Sequence, residues 1–321
     1  MADERCKVVL LAGGVGGAKM AEGLDGLDDI DLAIIGNVAD DAEFHGLWVS
    51  PDIDTVTYTL AERIDRKQGW GVADESHRAL SVLAELGKDA WMSLGDRDFG
   101  LHIYRTERIR NGDRRSEIAA DVAKAFGVKS RILLPTDDIL QTQIKTDPGW
   151  MSFQEYFVRE ACRPDVQDIR FEGAEKAQAT PEALAAIAEA DLIVIAPSNP
   201  LVSIAPILSV IGMKQALQAA AAPKIAVSPI IAGKVVKGPA DRMMASLGLE
   251  ATALGVARHY ADLADAIVID RQDAALEASV EALGLRCIVD DILMKNREDK
   301  LRLARFVVDC AALPASRRAC A

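Results

Sequence analysis

Acidic residues fall in two short stretches, Gly36-Asn37-Val38-Ala39-Asp40-Asp41 and Ser50-Pro51-Asp52-Ile53-Asp54-Thr55. Oxygens from Asp40, Asp41 and Asp54 could share a hard cation such as Mg2+, which usually takes one or two carboxylates plus substrate phosphate oxygens. The plainer reading makes Asp54 the cap of a helix starting at Thr55 and Asp40-Asp41 a solvated turn. Four glycines, Gly13, Gly14, Gly16 and Gly17, precede Lys19 between an apolar run and a helical pattern. Such a turn brings backbone N–H groups and a positive helix end close to a phosphate. The spacing is neither GxGxxG nor a P-loop, because Met20 follows Lys19, so no dinucleotide fingerprint is expected.

A third stretch, Gly95-Asp96-Arg97-Asp98 through Arg105-Thr106, reads as a polar loop bracketed by glycines. Arg97 and Arg105 could clamp a phosphate or polar ring there, or simply pair with surface acids. His102 reads as packed rather than basic, and nothing nearby completes a nucleophilic triad. A fourth stretch offers Ser198, Asn199 and Ser203 after an apolar run, and Ser228 to Lys234, then Lys237 to Arg242, repeats the arrangement one unit later. Hydrogen-bonding edges at two neighbouring strand ends point to a shared cleft.

These stretches need a scaffold that brings strand ends together, and the hydrophobic pattern supplies one. Short Val/Ile/Leu runs at Lys7–Leu11, Leu32–Ile35, Ile132–Leu134, Leu192–Ala196, Ile225–Val227, Ile267–Ile269 and Cys287–Val289 alternate with helical patterns. That alternation predicts βαβ units, a parallel sheet and helices on both faces. Helices are expected at Ala18–Leu24, Thr55–Arg63, Glu75–Leu86, Glu117–Phe126, Pro181–Glu189, Met213–Ala221, Ala240–Leu247, Ala274–Leu283 and Asp299–Cys310. The chain is expected to be one domain over 1–321, with a smaller α+β insertion at about 136–173. Short strands at Gln141–Lys145, Trp150–Gln154 and Ile169–Phe171 would build that insertion. The tail Leu313–Ala321 reads as a frayed terminus.

The 37 Lys and Arg against 49 Asp and Glu give a net charge of −12, and no basic run appears, which excludes a duplex-binding surface. Five cysteines without metal or framework spacing read as reduced. The N-terminus Met1-Ala2-Asp3-Glu4-Arg5 is acidic and the run Val8 to Ala12 is too short for a signal peptide or membrane span. A cytoplasmic protein with no membrane or nucleic-acid partner is expected.

In this order the stretches resemble the 2-phospho-L-lactate transferase family, whose members build the phosphodiester of the deazaflavin coenzyme F-420. The resemblance runs from Val8 to at least Ala257. It rests on GGVGGAK at Gly13–Lys19, GNVADD at Gly36–Asp41, SPDIDTVTYTL at Ser50–Leu60 and IDRKQGWG at Ile64–Gly71. LGDRDFGLHIYRT at Leu94–Thr106, APSNPLVSIAPIL at Ala196–Leu208 and SPIIAGK at Ser228–Lys234 extend it.

The resemblance implies a Rossmann-like three-layer core, a homodimer, Mg2+ as cofactor and two substrates. These are Fo, an 8-hydroxy-5-deazaflavin with a ribityl chain, and a guanosine-diphosphate-activated three-carbon acid, with GMP released. The acid is 2-phospholactyl, 3-phosphoglyceryl or derived from phosphoenolpyruvate, and the GGVGGAK, DDAEFHG and SPIIAGK variants favour the last. Carried over by motif, Asp54, Arg97, Asp96 and His102 would meet Fo, and Asp40 and Asp54 the metal. Asp54 or Asp41 would accept the hydroxyl proton. Gly13, Gly14, Gly16, Gly17, Lys19, Ser198, Asn199 and Ser203 would take the nucleotide and its phosphates. Trp70 and Phe99 would wall the deazaflavin ring. The competing reading is a nucleotide-sugar-binding regulator of the gluconeogenesis-factor type, which needs no Mg2+-poising carboxylates. An NAD-dependent oxidoreductase lacks its glycine fingerprint here.

Overall fold

The apolar runs form seven strands in a computed structural model that describes residues 5–312. They are β1 (Cys6–Ala12), β2 (Ile30–Gly36), β3 (Arg131–Leu133), β4 (Leu192–Ile195), β5 (Lys224–Val227), β6 (Ala266–Asp270) and β7 (Arg286–Asp290). All pair in parallel, in the order β7-β6-β5-β4-β1-β2-β3. Because side chains alternate across a strand, Val9 and Leu11 of β1 enter one core while Val8 and Leu10 enter the other. Helix α1 (Gly14–Asp25) and the C-terminal helix Arg297–Ala312 cover the Leu10 face, through Met20, Leu24, Leu303 and Val307. Helices Pro181–Ala188, Met213–Ala219 and Ala253–Tyr260 cover the other, through Ile187, Leu217 and Tyr260. The result is the expected Rossmann-like three-layer α/β fold.

Strand order reverses between β1 and β4, so the chain leaves their carboxyl ends in opposite directions and opens a crevice there. A three-stranded antiparallel sheet, Gly149–Ser152, Gln141–Thr146 and Asp168–Glu172 with Gln141–Thr146 central, lies in sequence between β3 and β4. It is tied to the loop after β2, where Thr142 N–H donates to Ala39 O at 2.7 Å and Gln141 Nε2 to Asp41 O at 3.2 Å. The strand expected at Trp150–Gln154 stops at Ser152, because Ser152 N–H and Oγ both turn onto Glu155, opening a π-helical turn at Glu155–Arg159.

Two helix expectations and one loop expectation are corrected. The helix expected from Thr55 is α2 (Pro51–Leu60), which starts at Pro51 because proline fits a first helical turn. The helix expected from Glu75 is α3 (Arg78–Glu85). The expected loop Gly95–Thr106 is α4 (Asp96–Arg110), its acids Asp96 and Asp98 at the positive end and Arg108 and Arg110 at the negative end. Helix Ala253–Tyr260, capped by Thr252, had no counterpart in the sequence reading.

Among the described residues no helix is long and apolar enough to cross a membrane. Cys6, Cys162, Cys287 and Cys310 carry free thiols. The expectations for Met1–Glu4, Cys320 and the tail Leu313–Ala321 lie outside the described residues.

Candidate active site

The crevice at the strand-order reversal is a cleft of about 580 Å3. Its floor begins where β1 ends. Helix α1 starts at Gly14, whose φ of +60° is the left-handed turn that favours glycine. A Cβ on Gly16 would lie 2.1 Å from Pro197 O, so the β1 and β4 loops can approach only with hydrogen at that position. Ser198 locks the approach, its Oγ donating to Gly13 O at 2.8 Å and accepting from Gly13 N–H at 3.3 Å. Gly16→Ala is therefore expected to separate the two loops. Overpacking costs about 1–3 kcal/mol, so the urea midpoint should fall; an unchanged midpoint would contradict this.

Two lysines line the cleft with the glycine loop. Lys19 Nζ donates to Met294 O at 3.0 Å, and burial, then the charge of Lys300, pushes its pKa below the usual lysine range. Lys237 Nζ donates to Gln68 O and sits 4.0 Å from the centre of the Trp70 ring. Burial, then the charge of Lys19, lowers its pKa too. Two ammonium groups that both hold charge reluctantly form a site for an anion that relieves them. Asn199 Oδ1 accepts from Leu201 N–H at 2.9 Å and caps the π-helical turn Pro200–Ile204, which carries buried Ser203. Gly13, Gly14, Gly16, Lys19, Ser198, Asn199 and Ser203 all line the cleft, whereas Gly17 packs against Ala12.

Asp40 and Asp52 are the carboxylates that line the cleft. Asp52 stands in the first turn of α2 and accepts from Asn37 Nδ2 at 3.0 Å. Burial pushes its pKa up to about 6, against the pull of Asn37 and the Gly14 N–H. Asp40 is raised as well, by burial first, then by the charges of Asp52 and Asp41. Its Oδ1 is buried without a hydrogen-bond partner. Among the described residues no three His, Cys, Asp or Glu side chains are grouped to hold a metal by themselves. A repelling carboxylate pair with an orphaned oxygen nonetheless fits a hard divalent cation that substrate oxygens complete.

Asp54 and Asp41 stand behind this wall. Arg105 reaches Asp54 from α4 with both guanidinium arms, Nη1 to Oδ2 at 3.1 Å and Nη2 to Oδ1. Burial opposes the Arg105 charge, but Asp54 outweighs it and holds the pKa above the ordinary value. His102 Nδ1 lies 3.3 Å from Arg105 Nη1 and 3.8 Å from Asp54, and burial depresses its pKa to about 4, so the ring is neutral. Asp41 accepts from Ser50 Oγ at 2.8 Å and Trp48 Nε1 at 3.2 Å. Burial raises it to about 7, against the pull of Arg115 and Ser50.

The remaining expected Fo residues are not gathered at the cleft. Asp96 caps α3, accepting from Ser76 Oγ at 2.6 Å and Ala79 N–H at 3.0 Å. Arg97 donates to Ala73 O at 2.8 Å and lines a separate surface hollow with Tyr104 and Phe126. Because they sit on a helix, Arg97 and Arg105 cannot close on one ligand as a loop would allow. Phe99 is core, packed with Leu80 and Leu94, whereas Trp70 does line the cleft, as do Phe157 and Val158 of the small sheet's π turn. Sequence reasoning missed Asp52 and Phe157, and placed Lys237 in the shared cleft only as part of a loop. Pro51 was the signal for Asp52, since a helix starting there puts Asp52 in its first turn beside the strand ends.

Asp98 tests these burial effects away from the cleft. It accepts from Tyr58 OH at 2.8 Å, and burial raises its pKa from 3.8 to about 6. A carboxyl raised in the folded state contributes stability that is complete below pH 4 and lost as pH rises through about 6. Asp98→Asn should thus be less destabilised than wild type on going from pH 4 to pH 7.5, read as urea midpoints; parallel pH profiles would refute it.

The chain matches the family model described as "2-phospho-L-lactate transferase CofD" over residues 8–303. It is 39% identical over 312 residues to the phosphoenolpyruvate transferase of Streptomyces griseus, covering 95% of this chain and 98% of that one. The 2-phospho-L-lactate transferase of Methanosarcina acetivorans is also 39% identical, over 305 residues, 94% of this chain and 98% of that one. The crystal structure of protein BH3568 from Bacillus halodurans aligns with a TM-score of 0.66 at 16% identity, over 95% of this chain and 99% of that one, a likeness of fold. A switch-point cleft lined by a glycine turn, two lysines and a pair of buried carboxylates, in a chain matched over nearly its whole length, places this protein in the CofD 2-phospho-L-lactate transferase family and makes it a transferase.

Proposed function

We propose that this protein makes the phosphodiester of coenzyme F-420, joining Fo to a guanosine-diphosphate-activated three-carbon acid with release of GMP. The observation that supports it most is the convergence on one cleft of the Gly13–Gly16 amides, Lys19 and Lys237, and the Asp40–Asp52 pair. The glycine loop and the two lysines bind the diphosphate, and the Ser198–Ser203 loop orients the nucleotide. Trp70 and Phe157, both in the cleft lining, offer apolar surface to the deazaflavin ring. Asp40 and Asp52 would hold Mg2+, which when bound neutralises charge on the phosphoryl oxygens.

The terminal ribityl hydroxyl attacks the phosphorus that bears the acid, a new P–O bond forms, and the bond to the GMP phosphate breaks in line. The departing phosphate carries off the hydroxyl proton, so positioning and charge carry the reaction rather than a strong base. In this reading Asp54 and Asp41 act from behind the wall. Asp54 fixes Arg105, and Asp41 anchors Ser50 at the start of α2. The donor is proposed to be the phosphoenolpyruvate-derived acid, the protein a cytoplasmic homodimer.

Fluorescence titration with Fo, with and without GDP and Mg2+, tests the proposal. Saturable micromolar binding is expected, followed by a product mass matching the enolpyruvyl diester when the three donors are compared. Binding of a UDP-sugar without binding of Fo would replace this reading with the regulator one.

A further inference from the structure

Thr142 is an unused polar group beside the cleft. It lies on the central strand of the small sheet, its N–H donates to Ala39 O at 2.7 Å, and its hydroxyl lies beside Asp40. Thr142 is 1% exposed and Asp40 5%, yet Thr142 Oγ1 and Asp40 Oδ1 are both buried with no hydrogen-bond partner. Native proteins retain few orphaned polar atoms, because each forfeits its hydration without recompense. Two neighbouring orphans, one on the small sheet and one in the turn after β2, are therefore placed to engage each other once a cation draws the carboxylate into line. A Val at this position would fill the same space and suit a strand equally well, so packing does not call for the hydroxyl.

We propose that Thr142 is a positioning residue for Asp40, its hydroxyl orienting the carboxylate for a divalent cation held with Asp52. The small sheet thereby becomes part of the catalytic apparatus: it carries a hydroxyl to the end of β2 that the Rossmann core does not supply there. This rests on the reading that Asp40 and Asp52 hold the cation. The hydroxyl acts as the outer partner of a ligating carboxylate, a role whose loss typically weakens metal affinity 10–100-fold.

The test compares wild type, Thr142→Val and Thr142→Ser in three measurements. These are Mn2+ binding to the full chain by electron paramagnetic resonance without substrate, the urea midpoint, and the Mg2+ dependence of turnover. Thr142→Val should bind Mn2+ about 10–100-fold more weakly and need correspondingly more Mg2+, with the Fo KM unchanged. Its urea midpoint should be equal to or above that of wild type, because an unpaired hydroxyl has become a methyl. Thr142→Ser should restore Mn2+ binding. Equal Mn2+ affinity in wild type and Thr142→Val would overturn this inference alone, as would equal losses in the Val and Ser variants. Failure of wild type to bind Mn2+ would overturn the carboxylate-pair reading and this inference with it.

Discussion

Asp52→Asn should lose at least ~10²-fold in turnover while folding as well as the wild type or better. The two halves of this result come from one cause. Asp52 accepts from Asn37 at 3.0 Å, and an asparagine oxygen can accept the same bond, so the local geometry survives. What disappears is a negative charge that burial disfavours, raising the carboxyl to about 6. Stability contributed by such a raised group is lost as pH rises through about 6, and the neutral variant avoids that loss at pH 8. A charge retained against the interest of the fold is one that the chemistry uses. Removing one preorganised charge-stabilising contact typically costs ~10²–10³ in rate. Turnover measured at saturating Mg2+, with the thermal midpoint at pH 8, decides the matter. Wild-type turnover in Asp52→Asn would remove Asp52 from the site.

Arg105→Leu should lower the unfolding free energy by about 3–5 kcal/mol, the usual consequence of leaving one partner of a buried pair alone. Arg105 and Asp54 are 5% exposed each, and among the described residues no second guanidinium pairs with Asp54. Whole domains are stable by only ~5–15 kcal/mol, so the loss is a large share. Arg105→Leu combined with Asp54→Leu should recover much of it, since no charge is then stranded, and the double-mutant cycle isolates the pair. Urea midpoints at constant m give the values. If the double variant is as unstable as the sum of the singles, the pair is not coupled. Asp54→Asn separates this supporting role from a direct one. It should reduce stability first, and a loss of turnover with stability intact would return Asp54 to the catalytic group.

The fold was legible in the sequence because a parallel sheet buried on both faces needs unbroken apolar strands. Leu192–Ile195 and Ile267–Ile269 can hardly be anything else. Glycines and strand-end serines marked the cleft for a similarly local reason, since close approach of a loop to phosphate or to another loop restricts the residues available. Helix α4 was misread as a loop because glycines and alternating charges dominate its composition, while its signal lay in the distribution of the acids and bases between its two ends.

The sequence by itself determined the layers, the glycine turn at the end of β1 and the set of acids and bases from which a site could be drawn. Only the tertiary structure decided which acids face the cleft. Asp52 and Asp54 are neighbours in one motif, yet two residues along a helix turn a side chain through about 200°. One therefore meets Asn37 and the cleft while the other meets Arg105 and the interior. Thr142 could not be found by spacing, because what brings it to Asp40 is the packing of segments about a hundred residues apart in sequence. Chemistry at a strand-order reversal depends on such long-range meetings, and local pattern carries no record of them.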